Sequence, residues 1–101
     1  MAQRTVVWTD TAKRQRRTIF IYWNARNHSK TYSERLRKHI QLRTNQLVRH
    51  PYSGKESKFP DTRITSLGHF SIVYRLTQEQ IIVFGFWDTR QDPDKLLRSL
   101  K

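Results

Sequence analysis

The chain has 101 residues and no cysteine, and its 20 Lys and Arg residues against 8 Asp and Glu residues give a formal net charge of +12. Without cysteine, disulfide scaffolds, thiolate metal sites and thiol nucleophiles are excluded. The length fits a single domain over residues 1–101, and the charge favours a polyanionic partner such as nucleic acid, an acidic protein or anionic lipid.

The positive charge is concentrated in the first part of the chain. Residues 1–58 carry 14 basic and 3 acidic side chains, a balance of +11, whereas residues 59–101 carry 6 and 5, a balance of +1. The first ten residues lack the apolar region of a signal peptide, and the longest apolar run, Ile19 to Trp23, is too short to cross a bilayer. We therefore expect a soluble, cytoplasmic protein without membrane association.

The first predicted elements are a short strand and a helix. Arg4 to Trp8 has the β-branched and aromatic content of a strand, and Thr9 or Asp10 can cap a helix that follows. Arg16 falls inside the apolar stripe of that helix, so its charged group must extend to solvent. The segment Ile19 to Trp23 alone also fits a strand, but a helix is favoured. The apolar stripe consists of Ala12, Ile19 and Trp23.

A second helix is the clearest predicted element. Residues 24–30 have the composition of a turn, after which Ser29 or Thr31 can cap the helix. The helix is predicted to end at His50, because a residue before proline avoids the helical region. Residues 51–61 then form the only substantial predicted loop. The apolar residues of the helix recur about every four positions, at Tyr32, Leu36, Ile40 and Leu47.

Strands are predicted for most of the remaining chain. Residues 69–76 alternate between apolar and more polar side chains, residues 77–80 resemble a hairpin, and residues 81–87 form a strand that is apolar on both faces and therefore central. A last short helical turn is predicted near Asp92 to Asp94. The order predicts an α+β fold: a short N-terminal strand, and two helices packed on one face of a mainly antiparallel sheet of about four strands.

Few residues suggest catalytic chemistry. The histidines His28, His39 and His50 fit structural positions in a turn, on the second helix and at its end. His69 differs, because it shares a strand face with Ser71 and Arg75; an ordinary exposed strand face explains it equally well. No cluster of metal ligands exists in the sequence, so no metal or other cofactor is expected.

A set of basic residues is predicted to gather at one edge of the sheet. Ends of neighbouring strands can converge there, where guanidinium and ammonium groups would bind phosphate. Scattered surface charge is an equally good explanation, and Asp88 and Arg90 could simply form a pair at the strand end. On the first helix, Lys13 and Arg17 are further candidates for nucleic-acid contacts. The converging set comprises Lys55, Lys58, Arg63, Arg75 and Arg90.

Three sequence segments carry a resemblance to a known family. RHPYSGK (Arg49 to Lys55), LGHFSIVYRL (Leu67 to Leu76) and IIVFGFWDTRQDP (Ile81 to Pro93) are similar, in that order, to motifs of the RelE/ParE superfamily of toxins. These motifs are a P-x-x-G after the second helix, a G-x-Y-R strand, and a closing strand that ends in arginine. With the matching helices, the resemblance covers about residues 4–97.

The resemblance implies the toxin of a type II toxin–antitoxin pair, bound by an acidic antitoxin. Some relatives cut mRNA in the ribosomal A site, and others inhibit DNA gyrase without nuclease activity. Arg90 matches the closing arginine, and Arg63 lies near an arginine of the family. The arginine expected on the next strand is replaced by Ser71, with Arg75 four residues on. Residues 91–101 contain neither the Tyr nor the His that often follows in nucleases.

We favour a metal-independent, ribosome-dependent mRNA endonuclease as the predicted function, with gyrase inhibition as the alternative. A degenerate toxin that only binds antitoxin is a third possibility, weakly supported by Ser71. RNA cleavage through the 2′-hydroxyl needs a base, an acid and cationic stabilisation. The residues predicted for catalysis are Arg63, His69, Arg75 and Arg90, and those predicted to bind nucleic acid are Lys13, Arg17, Lys55 and Lys58.

Overall fold

The computed structural model describes residues 3–90. Its order of elements confirms the predicted α+β fold of a strand, two helices and a three-stranded meander. A two-residue strand inside the predicted loop 51–61 is an addition to the four expected strands. The predicted turn at residues 92–94 lies outside the described residues. The elements are β1 Thr5–Trp8, α1 Asp10–Asn27, α2 Thr31–Arg49, β2 Lys55–Glu56, β3 Thr62–Leu67, β4 Phe70–Leu76 and β5 Gln80–Asp88.

The strands form one sheet in the order β1-β5-β4-β3-β2. The meander pairs are antiparallel, whereas β1 lies parallel to β5 and pairs with it from Thr5 opposite Gln80 to Trp8 opposite Val83. The register shifts where Val83 lies opposite Tyr74. Beyond Val83, β5 extends past β1 and lies against α1 instead. There the Gln15 side-chain oxygen accepts the backbone N–H of Phe86 at 2.8 Å.

The two helices begin and end at local hydrogen bonds. Thr9 caps α1 as predicted, because its extended backbone lets Oγ1 accept the N–H of Ala12 at 3.2 Å. The turn predicted from residue 24 was wrong, since α1 continues to Asn27 and ends at His28 with a left-handed backbone (φ 49°). The predicted cap of α2 is confirmed in part: Lys30 occupies the N-cap position without a side-chain cap bond, and the Ser29 hydroxyl accepts the N–H of Thr31.

The core lies between the helices and one face of the sheet. Three residues of the α2 stripe are buried and the fourth, Tyr32, is partly buried; the buried three, Leu36, Ile40 and Leu47, pack against Ile72, Tyr74 and Phe86. Ile21 points away from the core and is 57% exposed. The Arg16 guanidinium reaches out of the core over the Trp8 ring, 4.4 Å from its centroid, as the interrupted stripe predicted. Within residues 3–90, no helix is long and apolar enough to span a membrane.

Candidate functional site

The P-x-x-G loop after α2 is built around the hydroxyl of Tyr74. This side chain is fully buried; its hydroxyl donates to the Pro51 carbonyl at 2.9 Å and accepts the Gly54 N–H at 3.0 Å. Burial raises the pKa of Tyr74, while the bond from Gly54 and the charge of Arg63 oppose the rise. A Cβ at position 54 would overlap the hydroxyl and come within 2.8 Å of Cε1. The motif is therefore explained by packing.

Arg63 holds the same loop from β3. Its Nη1 donates to the carbonyls of Tyr52 at 3.1 Å and Gly54 at 2.7 Å, and its guanidinium lies 5.1 Å from the centroid of the Tyr52 ring. Its Nη2 lies 3.4 Å from a carboxylate oxygen of Glu56, and 21% of the side chain is exposed. Arg63 is thus bonded to the chain itself, mainly through backbone carbonyls.

Arg90 forms a close ion pair with Asp88 at the end of β5. Its Nε and Nη2 donate to the two carboxylate oxygens at 2.9 and 2.7 Å, and its backbone N–H also bonds to Asp88. The bond from the Arg90 side chain lowers the pKa of Asp88 despite partial burial, and the same bond raises the pKa of Arg90. The guanidinium also lies 5.3 Å from the Trp23 ring centroid. The structure thus shows the alternative named from the sequence, in which Asp88 and Arg90 form a pair at the strand end.

Arg63 and Arg90 do not converge at one edge of the sheet, so that prediction was wrong. Arg63 lies opposite Tyr74, whereas Asp88 lies opposite Phe70, at the other end of β4. Four residues of strand separate these positions by about 13 Å, and β3 and β5 flank β4 on opposite sides. In an antiparallel meander, the start of β3 and the end of β5 lie at opposite ends of the sheet.

The other predicted catalytic residues lie on or near β4. His69 is exposed just before the strand, and Arg75 is exposed opposite Thr62 and Ile82. Buried Val73 separates Arg75 from the other polar residues of this face, so the predicted polar face is not continuous. Their catalytic role stays a prediction.

Trp87, the last residue of the strand predicted over residues 81–87, is buried. It lies opposite Ser71 on the sheet, is 8% exposed, and its indole Nε1 has no hydrogen-bond acceptor among the described residues. The uniformly apolar composition of residues 81–87 gave no signal that distinguished it.

The predicted loop lysines are only partly brought together with the arginines. Lys55 lies on β2 opposite Ile64, and its side chain is exposed. Lys58 and Arg63 line one open cavity of about 500 Å³. Within residues 3–90, no three potential metal-ligating side chains form a group.

Lys13 and Arg17 line a different feature, which we call the interhelical groove. It lies between α1, α2 and β1 and consists of two adjoining cavities of about 840 and 490 Å³ that share Trp8 and Arg16. Arg37 lines it from α2. The interrupted stripe of α1 gave a signal for Arg16, but nothing in the sequence placed it beside Arg37. The cations lining the groove are Arg4, Lys13, Arg16, Arg17, Arg37 and Arg49.

Comparison with known proteins gives one family match and several chains of similar structure. A family model described as the ParE toxin of the type II toxin-antitoxin system parDE matches residues 6–93. A chain from the chromosomal ParDE system of P. aeruginosa is similar in structure, with a TM-score of 0.71 and 17% identity, covering 83% of this chain and 94% of that one. No curated protein sequence matches the chain.

A second group of similar structures comes from E. coli. A chain of the DinJ-YafQ toxin-antitoxin complex has a TM-score of 0.55 and 8% identity, covering 88% of this chain and 96% of its own length. YafQ from strain BL21(DE3) has a TM-score of 0.53 and 9% identity, covering 87% and 96%. At these identities the likeness establishes a common fold.

Proposed function

The chain belongs to the ParE toxin family of type II toxin–antitoxin systems; from that premise we propose that it arrests bacterial growth by inhibiting DNA gyrase. The match to the ParE family model is the observation that carries this proposal. It reverses the order of the two functions weighed from the sequence, where RNA cleavage was favoured.

The geometry of the two arginines supports the same choice. RNA cleavage as first envisaged requires Arg63 and Arg90 to hold one scissile phosphate. They lie at opposite ends of β4, and each is engaged by acceptors of the chain itself. The two charge-assisted bonds to Asp88 partly balance the charge of Arg90 and leave three of its five N–H donors for a phosphate. Inhibition by binding to a protein does not require the two arginines to meet.

We further propose that an acidic antitoxin is the partner that neutralises the toxin. The similar chains from P. aeruginosa and E. coli come from structures of toxin–antitoxin systems. The charge of +12 on this chain supports an acidic partner, because complementary charge accelerates association and favours a correctly oriented complex.

Purified toxin tests the target directly. We expect it to block supercoiling of relaxed plasmid by gyrase while leaving mRNA on stalled ribosomes intact in a primer-extension assay. Cuts at the ribosomal A site together with normal supercoiling would contradict the proposal and restore the nuclease hypothesis. In that case, Arg63→Lys and Arg90→Lys would show whether the predicted phosphate contacts contribute.

A further inference from the structure

A second surface feature, which we call the aromatic patch, lies between the later part of α1 and the end of β5. It surrounds an open cavity of about 350 Å³, and none of the residues lining that cavity lines the interhelical groove. Those on α1 recur at helical spacing, so they occupy one face of the helix. The lining residues are Thr18, Ile19, Tyr22, Trp23, Arg26, Asp88 and Arg90.

Trp23 lies at the centre of the aromatic patch. Its ring centroid is 5.2 Å from that of Tyr22 and 4.8 Å from that of Tyr32, which α2 contributes. The guanidinium groups of Arg90 and Arg26 lie 5.3 and 5.8 Å from the same centroid. Trp23 is half-buried. Four neighbours therefore fix the orientation of the indole, so that a partner would meet a preorganised surface.

The two arginines of the patch keep N–H donors that the described residues do not use. Arg90 donates Nε and Nη2 to Asp88, which leaves three of its five donors. Arg26 donates from Nη1 to the Tyr22 hydroxyl at 3.2 Å, and among residues 3–90 no carboxylate lies within ion-pair distance of it. Both guanidinium groups can therefore pair with a carboxylate of a partner.

The composition of the patch is typical of the centre of a protein interface. Trp, Tyr and Arg are the residue types whose truncation most often costs binding energy, and they cluster with weaker contacts around them. Tyr22 is 52% exposed, and the preceding Ile21 is 57% exposed. Large apolar side chains exposed together and rimmed by cations indicate a surface that another molecule covers.

The patch suits a protein better than a nucleic-acid strand. Asp88 lines the same cavity, so a row of phosphates there would be repelled by its carboxylate. Single-stranded nucleic acids bind in positive grooves that follow the backbone and stack their bases on open aromatic faces, whereas two guanidinium groups already flank Trp23. A protein that presents one carboxylate beside an apolar side chain meets neither obstacle.

We propose that the aromatic patch is the surface through which the toxin binds its target protein, with a target carboxylate paired to Arg26 and Arg90 and an apolar side chain packed on Tyr22. That this target is gyrase rests on the proposed function. The position of the surface does not, because it follows from the rings and charges of the patch.

Two variants of exposed side chains test the patch separately. Tyr22→Ala removes the exposed ring, and Arg26→Gln removes a charge without breaking an ion pair among the described residues. Their matched controls on α2 are Leu42→Ala and Lys38→Gln, also at exposed positions. Neither control residue lines the patch or the groove. The urea midpoint of each variant shows whether it folds like the parent, and either patch variant serves alone if the other is unstable.

Growth arrest is the first measurement, because it does not depend on the identity of the target. With graded expression in a bacterial host and quantified toxin, each patch variant should need about tenfold more toxin than the parent for half-maximal arrest, the effect of losing one strong interface residue. Each control should stay within about threefold. The same ratios are expected for the toxin concentrations that half-inhibit supercoiling by gyrase.

The patch is the wrong surface if folded patch variants arrest growth as strongly as the parent, or if the controls lose as much activity as the patch variants. An oligothymidylate provides a further test. If it shifts the indole NMR signal of Trp23, which Trp23→Phe identifies, at about 0.15 M salt, the patch binds nucleic acid and the inference fails.

The two assays together separate this inference from the proposed function. A parent toxin that arrests growth without affecting supercoiling, while the patch variants lose growth arrest, contradicts only the proposed target. A parent toxin that blocks supercoiling, with patch variants that block it equally well, contradicts only the patch. A parent toxin that affects neither growth nor supercoiling contradicts both.

Discussion

Position 54 requires glycine because the Tyr74 side chain occupies the space where a Cβ would lie, and not because of the backbone angle. An alanine methyl at this position would press against the hydroxyl of Tyr74 and two ring carbons of the same fully buried side chain. We expect Gly54→Ala to lower the free energy of unfolding by about 2–3 kcal/mol, the upper part of the range for overpacking a well-packed core. Urea unfolding followed by circular dichroism measures it.

Gly68→Ala provides the matched control for this prediction. Gly68 has a left-handed backbone (φ 59°), but nothing lies within 4 Å of a Cβ built there. Alanine there should cost only about 1 kcal/mol of backbone strain. In a Tyr74→Phe background, Gly54→Ala should also cost less than in the parent, since the nearest atom is gone. Equal costs for the two glycine variants would contradict the steric explanation.

Asp88 should make stability depend on pH in the acidic range. Its pKa is lower in the folded chain than the unfolded value of about 3.9, chiefly because Arg90 donates to it. The pair therefore stabilises the fold above that value, and the stabilisation is lost as the pH falls through the lower, folded value. We expect Asp88→Asn to reduce stability at pH 7 and to flatten the acidic limb of the profile, measured as the urea midpoint against pH.

A double-mutant cycle is the control for the Asp88 prediction. Arg90→Gln should flatten the acidic limb in the same way, and adding it to Asp88→Asn should change little, because either substitution alone removes the pair. If Asp88→Asn lost as much stability as the parent when the pH is lowered, another carboxylate would be responsible for that loss.

Helix α1 and strand β5 are joined by the side chain of Gln15. Its oxygen satisfies the Phe86 N–H at the place where β5 has passed the end of β1. Gln15→Ala leaves that donor unsatisfied and should cost about 1–2 kcal/mol in urea unfolding. Hydrogen exchange at the Phe86 amide should accelerate as well. Gln46→Ala, at an exposed position of α2, should stay within about 0.5 kcal/mol of the parent; a similar loss in both variants would refute the role of this bond.

An element was predicted correctly where the regularly spaced apolar residues of the sequence are the residues that the fold buries. The spacing of Leu36, Ile40 and Leu47 predicted α2, because all three are buried on one face. Strand β2 has only Lys55 and Glu56, both exposed, so no apolar pattern could reveal it. Asn24 has the composition of a turn but remains helical, because its side chain accepts a hydrogen bond from Ser33.

The candidate site was harder to predict than the fold, because it depends on which strand ends meet. The superfamily resemblance drawn from three short motifs is confirmed by the family match. The convergence of Arg63 with Arg90 failed, since the direction of strands in the meander places them apart. Arg16 and Arg37 lie side by side because of how the two helices pack. The spacing of residues along either helix carries no information about that packing.

Across the whole molecule, positive charge far exceeds the negative charge available to balance it. The described residues contain two ion pairs, at Glu56 with Arg63 and at Asp88 with Arg90, against a net charge of +12 for the chain. Self-repulsion of this kind destabilises a compact state and is screened by salt. A partner that supplies negative charge should therefore stabilise the fold as well as bind it.

Salt and oxyanions should accordingly raise the thermal stability by two separable effects. Raising sodium chloride from about 0.02 to about 0.5 M shortens the screening length and should raise Tm by about 5 °C, the shift that roughly 1 kcal/mol produces in a domain of this size. At equal ionic strength, sulfate should raise Tm further, both by general exclusion from the surface and by binding between Arg16 and Arg37.

Variants of the interhelical groove separate these two contributions of sulfate. General exclusion acts equally on all variants, so the part due to binding is the difference between them. We expect Arg16→Gln with Arg37→Gln to lose part of the sulfate increment in thermal unfolding followed by circular dichroism. The matched control, Arg14→Gln with Arg35→Gln, at exposed positions of the same helices outside the groove, should keep it. An increment of the same size in both double variants would mean that sulfate acts only through the solvent. The groove would then hold its unpaired cations without selecting an oxyanion.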